Sequence, residues 1–202
     1  MPIDRRAALL ALAALPLGAC VDSARGGPPP RGTASDVADL SLALAALGPD
    51  VDPREARRFA EHAIAETHRL AVLYEIEDAA LVHNTKVNRG SKPRGLCWHW
   101  AEDLETSLER LDLRTLTLHR GIANYDTPFR IEHSSVIVSA RGAEMMDGLV
   151  IDPWRRGGVL SWIMARDDRK YPWRPRREVA EERYARAVAR GELPPGGRIR
   201  ID

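Results

Sequence analysis

Apolar positions recur first at helical and then at strand-like intervals along this chain. Over 36–47 small apolar and polar residues alternate with helical period until Gly48-Pro49-Asp50 breaks the run, which predicts a short helix. Asp52-Pro53 then reads as an N-cap followed by proline at the first helical position, where no backbone N–H is needed. Behind it Ala56, Phe59, Ala63, Ile64, Leu70 and Tyr74 share one stripe, the strongest helical pattern in the sequence. His62 and His68 fall off or at the edge of that stripe and read as surface residues. Asn88, Gly90 and Pro93 mark 84–94 as a loop. From Leu96, the spacing through Trp100, Leu104, Leu108 and Leu111 restores a helix with one buried face and Cys97 in its first turn.

Three β-type segments follow. Leu116 and Leu118 alternate within 114–122, Ile131, Val136 and Val138 mark 129–140, and 149–152 is a short apolar run. Pro128 and the glycine-containing stretch 142–148 separate them, as expected for antiparallel neighbours joined by turns. A charged helix is predicted over 177–190 with Val179, Tyr184 and Val188 inward, and 193–202 reads as a loose tail. Helices first and strands afterwards predict an α+β fold, with N-terminal helices and a Cys-bearing helix packed on an antiparallel sheet. No internal repeat is visible.

The N-terminal twenty residues change the picture of compartment. Arg5 and Arg6 form a positive region, 7–17 is an apolar stretch short for a spanning helix, and Leu17-Gly18-Ala19-Cys20 closes it. That tetrapeptide resembles the lipobox of bacterial lipoproteins, which implies removal of 1–19, lipidation of Cys20 and attachment to the periplasmic face of the cell envelope, the outer membrane included. An ordinary signal peptide cut after Ala19 is the alternative. Residues 20–35, with Gly26-Gly27-Pro28-Pro29-Pro30, read as a tether, leaving a single domain over 36–192. The 30 basic and 29 acidic residues of the 202 nearly cancel, so charge gives no sign of a nucleic-acid partner.

The chain has two cysteines, and with Cys20 lipidated Cys97 has no intrachain partner. An unpaired thiol in an exported protein is either a buried inert residue or a reactive one. A thiol at a helix start feels the positive end of the helix dipole and ionises more readily. His133, on one strand-like run, and Asp152, on the next, are placed to supply a base and its orienting group. Glu132 adjoins His133, but in a strand it points to the opposite face and is excluded from the same pocket. His99 and His119 invite a metal reading with Cys97, yet residues two apart on a helix diverge and no paired ligand spacing is present, so no metal is expected.

Gly95-Leu96-Cys97-Trp98 before a helix, Glu132-His133-Ser134-Ser135-Val136-Ile137-Val138 around the histidine and Ile151-Asp152-Pro153-Trp154 after it resemble the transglutaminase-like group of the papain-like superfamily. The resemblance spans 84–154. It implies attack of a Cys97 thiolate on an amide or acyl carbonyl, His133 as general base and then acid, Asp152 as orienting carboxylate, and no cofactor. For the oxyanion it leaves the backbone N–H of Cys97 and a second donor among Asn84, Asn88, Trp98 and Trp100, with Asn84 favoured. The five tryptophans read as core and rim packing, with Trp98 and Trp154 as candidates for the floor of a substrate groove. The expected function is a thiol-dependent hydrolase or acyltransferase acting on a protein, peptide or peptidoglycan substrate. The alternative is a non-catalytic envelope scaffold or binding lipoprotein that keeps the fold.

Overall fold

The computed structural model describes residues 26–197. The expectations about the leader, Cys20 and the last five residues lie outside them. Five α-helices and a five-stranded antiparallel sheet form an α+β architecture. Helices α1 (Ala34–Ala45), α2 (Pro53–Leu73), α3 (Ala80–Asn88) and α4 (Cys97–Glu109) precede strands β1 (Leu116–Ala123), β2 (His133–Ala140), β3 (Leu149–Asp152), β4 (Ser161–Met164) and β5 (Arg174–Pro175), and α5 (Arg176–Ala189) closes the chain. The spatial order of strands is β4-β3-β2-β1-β5. No helix among the described residues is long and apolar enough to cross a membrane.

Local chemistry explains the helix starts. Thr33 and Asp36 make a reciprocal cap on α1, with Asp36 N–H donating to Thr33 Oγ1 at 3.2 Å and Thr33 N–H donating to Asp36 Oδ2 at 2.6 Å. Asp52 accepts from Arg54 N–H at 2.8 Å at the head of α2, with Pro53 at its first position as expected. The predicted stripe of α2 is buried against α4 and one sheet face, where Phe59, Leu104, Leu108, Val136, Val138 and Ile151 form the larger core. The opposite face carries a smaller core built on Ile137, Val150, Tyr171 and Trp173.

Several expectations need correction. The loop foreseen over 84–94 is half helix, because α3 runs through Asn88. Its pattern hides this: only His83 is buried and no side chain caps its start. Strand β2 begins at His133, four residues later than expected. The preceding turn holds Asn124 and Phe129 in left-handed conformations, and Phe129 lies fully in solvent. The end of the presumed tether belongs to the fold, since Pro29 is buried, close to Gly158, and Gly32 lies against Ile64. The beginning of the presumed loose tail is pinned by Tyr184, whose hydroxyl donates to the Pro194 carbonyl and accepts from Gly197 N–H. His62 is half-buried on Ser107 Oγ at 2.9 Å rather than a free surface residue.

One buried carboxylate joins the helical layer to the sheet. Glu55 on α2 accepts from the backbone N–H groups of Arg114, Thr115 and Leu116 at 2.8–2.9 Å and from Thr115 Oγ1 at 2.9 Å, at the point where the chain enters β1. Burial works to raise its pKa, but these four donors outweigh it and leave the carboxyl below its ordinary range. Its contribution to stability is therefore present above the ordinary glutamate pKa and lost as pH falls through the lower folded value. Replacing Glu55 with Ala strands the Leu116 N–H in the core and is expected to cost about 3 kcal/mol, read as a lower urea midpoint at unchanged slope.

Candidate active site

Antiparallel pairing brings distant residues to one end of the sheet. Strand β2 starts where β3 stops, with Val136 opposite Ile151 and Ala123 of β1 opposite His133. His133 and Asp152 consequently point from the same sheet face at diagonal positions. His133 Nε2 lies 2.6 Å from Asp152 Oδ2, and both side chains are almost wholly buried. Rings pack around the imidazole, with centroids of Tyr171 at 4.5 Å, Trp154 at 4.7 Å and Trp173 at 5.4 Å.

Asp152 is held from its other side by Arg155. Arg155 N–H donates to Oδ1 at 3.1 Å and Arg155 Nε to Oδ2 at 3.1 Å. The same guanidinium reaches Asp168 Oδ2 at 2.6 Å, and that oxygen also accepts the Trp173 indole N–H at 3.1 Å. A closed circuit thus runs from His133 through Asp152, Arg155 and Asp168 to Trp173 and back to the imidazole face.

The electrostatics follow from burial and pairing. Burial alone would drive the His133 pKa down, but the charge and hydrogen bond of Asp152, with a smaller push from the Cys97 sulfur, carry it up to about 9. Burial would raise Asp152, yet His133 and then Arg155 hold it below the ordinary aspartate value. The ring's remaining nitrogen, Nδ1, is buried and has no hydrogen-bond partner among the described residues.

Cys97 occupies the first helical position of α4 and is 8% exposed. Its sulfur lies 3.7 Å from the Glu132 carbonyl oxygen, at the foot of β2. The helix start is fastened by a side chain from inside the helix: His99 Nδ1 accepts from Gly95 N–H at 3.1 Å and Leu96 N–H at 3.2 Å. That nitrogen must be unprotonated, and burial followed by the Arg94 charge lowers the His99 pKa accordingly. Gly95 sits at φ +123° where an added Cβ would stand 2.4 Å from His83 Nε2, so only glycine fits there. The N–H of Cys97 itself points out of the helix start, free of intrahelical partners.

The other expected residues divide. Trp98 is 47% exposed and lines the cleft beside Cys97. Trp154 is buried, so it floors no open groove at the thiol but packs on His133 and lines a second, smaller cleft. Asn84 Oδ1 accepts the Trp154 indole N–H at 3.0 Å, which leaves its Nδ2 uncommitted among the described residues. The unforeseen helix α3 carries Asn84 toward Trp154. Asn88 is exposed at the end of α3, and the Trp100 indole is spent on the Gly95 carbonyl at 3.1 Å. Glu132 faces away from the rings around His133, as alternation requires, but it is not excluded from the site: its side chain pairs with Arg183 in the cleft that Cys97 also lines.

That cleft is about 1000 Å³ and lies between α4 and α5. Sequence reasoning missed Arg155, Asp168, Tyr171, Trp173 and His99. Only Arg155 had a signal, three residues after an Asp-Pro turn start. Among the described residues no three of His, Cys, Asp and Glu form a cluster able to hold a metal ion. Comparison with known families, characterised proteins and solved structures finds no match to this chain.

Two outcomes follow. In NMR titration His133 is expected to lose its proton at about 9, and in Asp152→Asn below the ordinary histidine value, where unopposed burial leaves it. Because the folded His133 pKa is raised, its stabilisation is complete below about pH 6.5 and disappears as pH climbs to about 9. Asp152 contributes above about pH 3.9 and is lost as pH falls through its depressed folded value. Gly95→Ala should lower the melting temperature, through the His83 contact and the positive φ, by at least about 4 °C.

Proposed function

We propose that this protein is a thiol-dependent hydrolase or acyltransferase of the transglutaminase-like kind, opening amide bonds through a thioester on Cys97. The observation that carries this reading is a buried histidine whose Nε2 is committed to a buried carboxylate and whose pKa is pushed up further by the nearby Cys97 sulfur. An open Nδ1 does not by itself mark the site, because the structural histidine His83 keeps one as well; the carboxylate and the neighbouring sulfur set His133 apart.

Cys97 Sγ, as thiolate beside the His133 imidazolium, adds to the amide carbonyl. The oxyanion that forms is met by the Cys97 N–H at the positive end of α4. Collapse breaks the C–N bond, and the departing nitrogen takes the proton from His133 Nδ1, leaving an acyl thioester. Water or an amine then gives its proton to Nδ1 and attacks the thioester, and the thiolate departs. Asp152 stays ionised throughout and steers the ring. Trp98, exposed beside the sulfur, serves as a wall for substrate, and Asn84 Nδ2 is the candidate for the second oxyanion donor. The substrate class is protein, peptide or peptidoglycan, and attachment through a lipid on Cys20 places the enzyme at the cell envelope.

The test is alkylation by iodoacetamide across pH, with amide hydrolysis alongside. Labelling of Cys97 is expected in the native fold and should fall sharply in His133→Ala. Cys97→Ser should abolish turnover, and Asp152→Asn should lower kcat about 10²- to 10⁴-fold and lower the melting temperature as well, with a native circular-dichroism spectrum at the assay temperature signalling an intact fold. Loss of the His133 proton predicts an alkaline limb in kcat/KM at about 9. A thiol that reacts only after denaturation would replace this reading with a non-catalytic envelope scaffold.

A further inference from the structure

The second cleft, about 560 Å³, runs along Trp154 and Tyr171, two of the rings that enclose His133. Ile131 lines it while Glu132, the next residue, lines the larger cleft beside Cys97. The two depressions therefore flank the same short piece of chain that leads into His133.

Their charge differs in kind. In the larger cleft bases are matched by acids, Arg120 with Glu105 and Arg183 with Glu132. The smaller one is lined by Arg130, Arg155 and Lys170 and by no carboxylate. Arg155 is spent on Asp152 and Asp168. Arg130 donates to the Lys170 carbonyl at 3.3 Å, and neither Arg130 nor Lys170 has a carboxylate partner among the described residues. The Lys170 ammonium lies over the Tyr171 ring, 5.3 Å from its centroid, so two cations without an acid border one cleft and suit an external anion.

A second observation comes from Asn124, which lines this cleft, is 7% exposed and is held at φ +61°. Its Nδ2 donates to the Ile131 carbonyl at 3.3 Å, which fixes the orientation of the amide. Its Oδ1 is then buried with no donor among the described residues. That oxygen has almost no accessible surface, so Asn124 braces the cleft wall through its bond to Ile131 rather than offering an acceptor to a ligand.

We propose that this cleft is the subsite for a carboxylate-bearing peptide segment, its carboxylate bound by Lys170 and Arg130. The assignment rests on the thiol-hydrolase reading for one point, the side of the scissile bond. The departing nitrogen takes its proton from His133, so the segment attached to it leaves along the rings that enclose His133, while the acyl part remains with Cys97 in the larger cleft. Exposed Ile131 and Leu81 offer the apolar contact for small side chains. The preferred substrates are thus amides whose amine portion ends in, or carries close by, a free carboxylate.

The test titrates the full chain, as Cys97→Ala to prevent turnover, with a panel of N-acetyl dipeptide acids and their C-terminal amide twins, followed by NMR. Acids are expected to bind about ten-fold more tightly than their twins. The ratio should fall to about one in a Lys170→Gln/Arg130→Gln variant, whose changes are at exposed positions. Equal binding of acids and amides across the panel, or a preference that survives the double variant, would overturn the proposal. Acid-selective binding with a native thiol inert to iodoacetamide would uphold the cleft and overturn only the hydrolase reading. A His133-dependent thiol without acid selectivity would do the reverse.

Discussion

An ionised carboxylate buried against an imidazole is the constraint on which this end of the molecule depends. Two charges taken out of water are tolerable only if every remaining lone pair and proton is answered, and removal of one partner leaves the other stranded. Asp152 is answered by His133, by Arg155 Nε and by Arg155 N–H. That last bond requires the chain to turn at Pro153, and the turn lays Trp154 on the imidazole. The Arg155 charge in turn requires Asp168, and Asp168 holds Trp173 against the same ring. Two loops far apart in sequence are thereby shaped by one carboxyl group.

The thiol side obeys a different rule. A helix start leaves N–H groups without partners, and side chains at the N-cap usually supply an acceptor. Leu96 cannot, so His99 turns back from the third helical position to accept from Gly95 and Leu96. With the two preceding N–H groups occupied, the Cys97 N–H remains uncommitted beside its own sulfur. Arg120 ties the outer side together, reaching Glu105 at 2.6 Å, Ser134 Oγ at 2.9 Å and the Trp98 carbonyl at 3.2 Å. Position of the sulfur is thus set by contacts with α4, β1 and β2 rather than by one cap.

What was legible in the sequence was whatever depended on periodicity. The stripe of α2, the buried face of α4 and the alternation in β1 and β2 come from apolar spacing, and antiparallel pairing of the strands then forces His133 and Asp152 together. What was not legible depended on tertiary contacts of polar groups. Helix α3 buries only His83 and so leaves no stripe. Strands β4 and β5 are too short to show alternation, with only four and two residues. Asn84 escapes sequence reasoning because a turn-forming type in a helix has no signature for its partner, and Glu132 because alternation tells which way it faces but not that the Cys97 cleft opens on that side. Asp168 and Trp173 belong to a segment with no apolar period at all, and only their convergence on Arg155 and His133 reveals them.

Burial of Pro29 beside Gly158 sets a leash length. Were Cys20 fixed in a bilayer, about nine residues would separate it from the first anchored point of the globule, a stretched reach of roughly 30 Å. A domain so short-tied would reach only the sheet of material adjoining that bilayer, and any partner would have to come to it at that height.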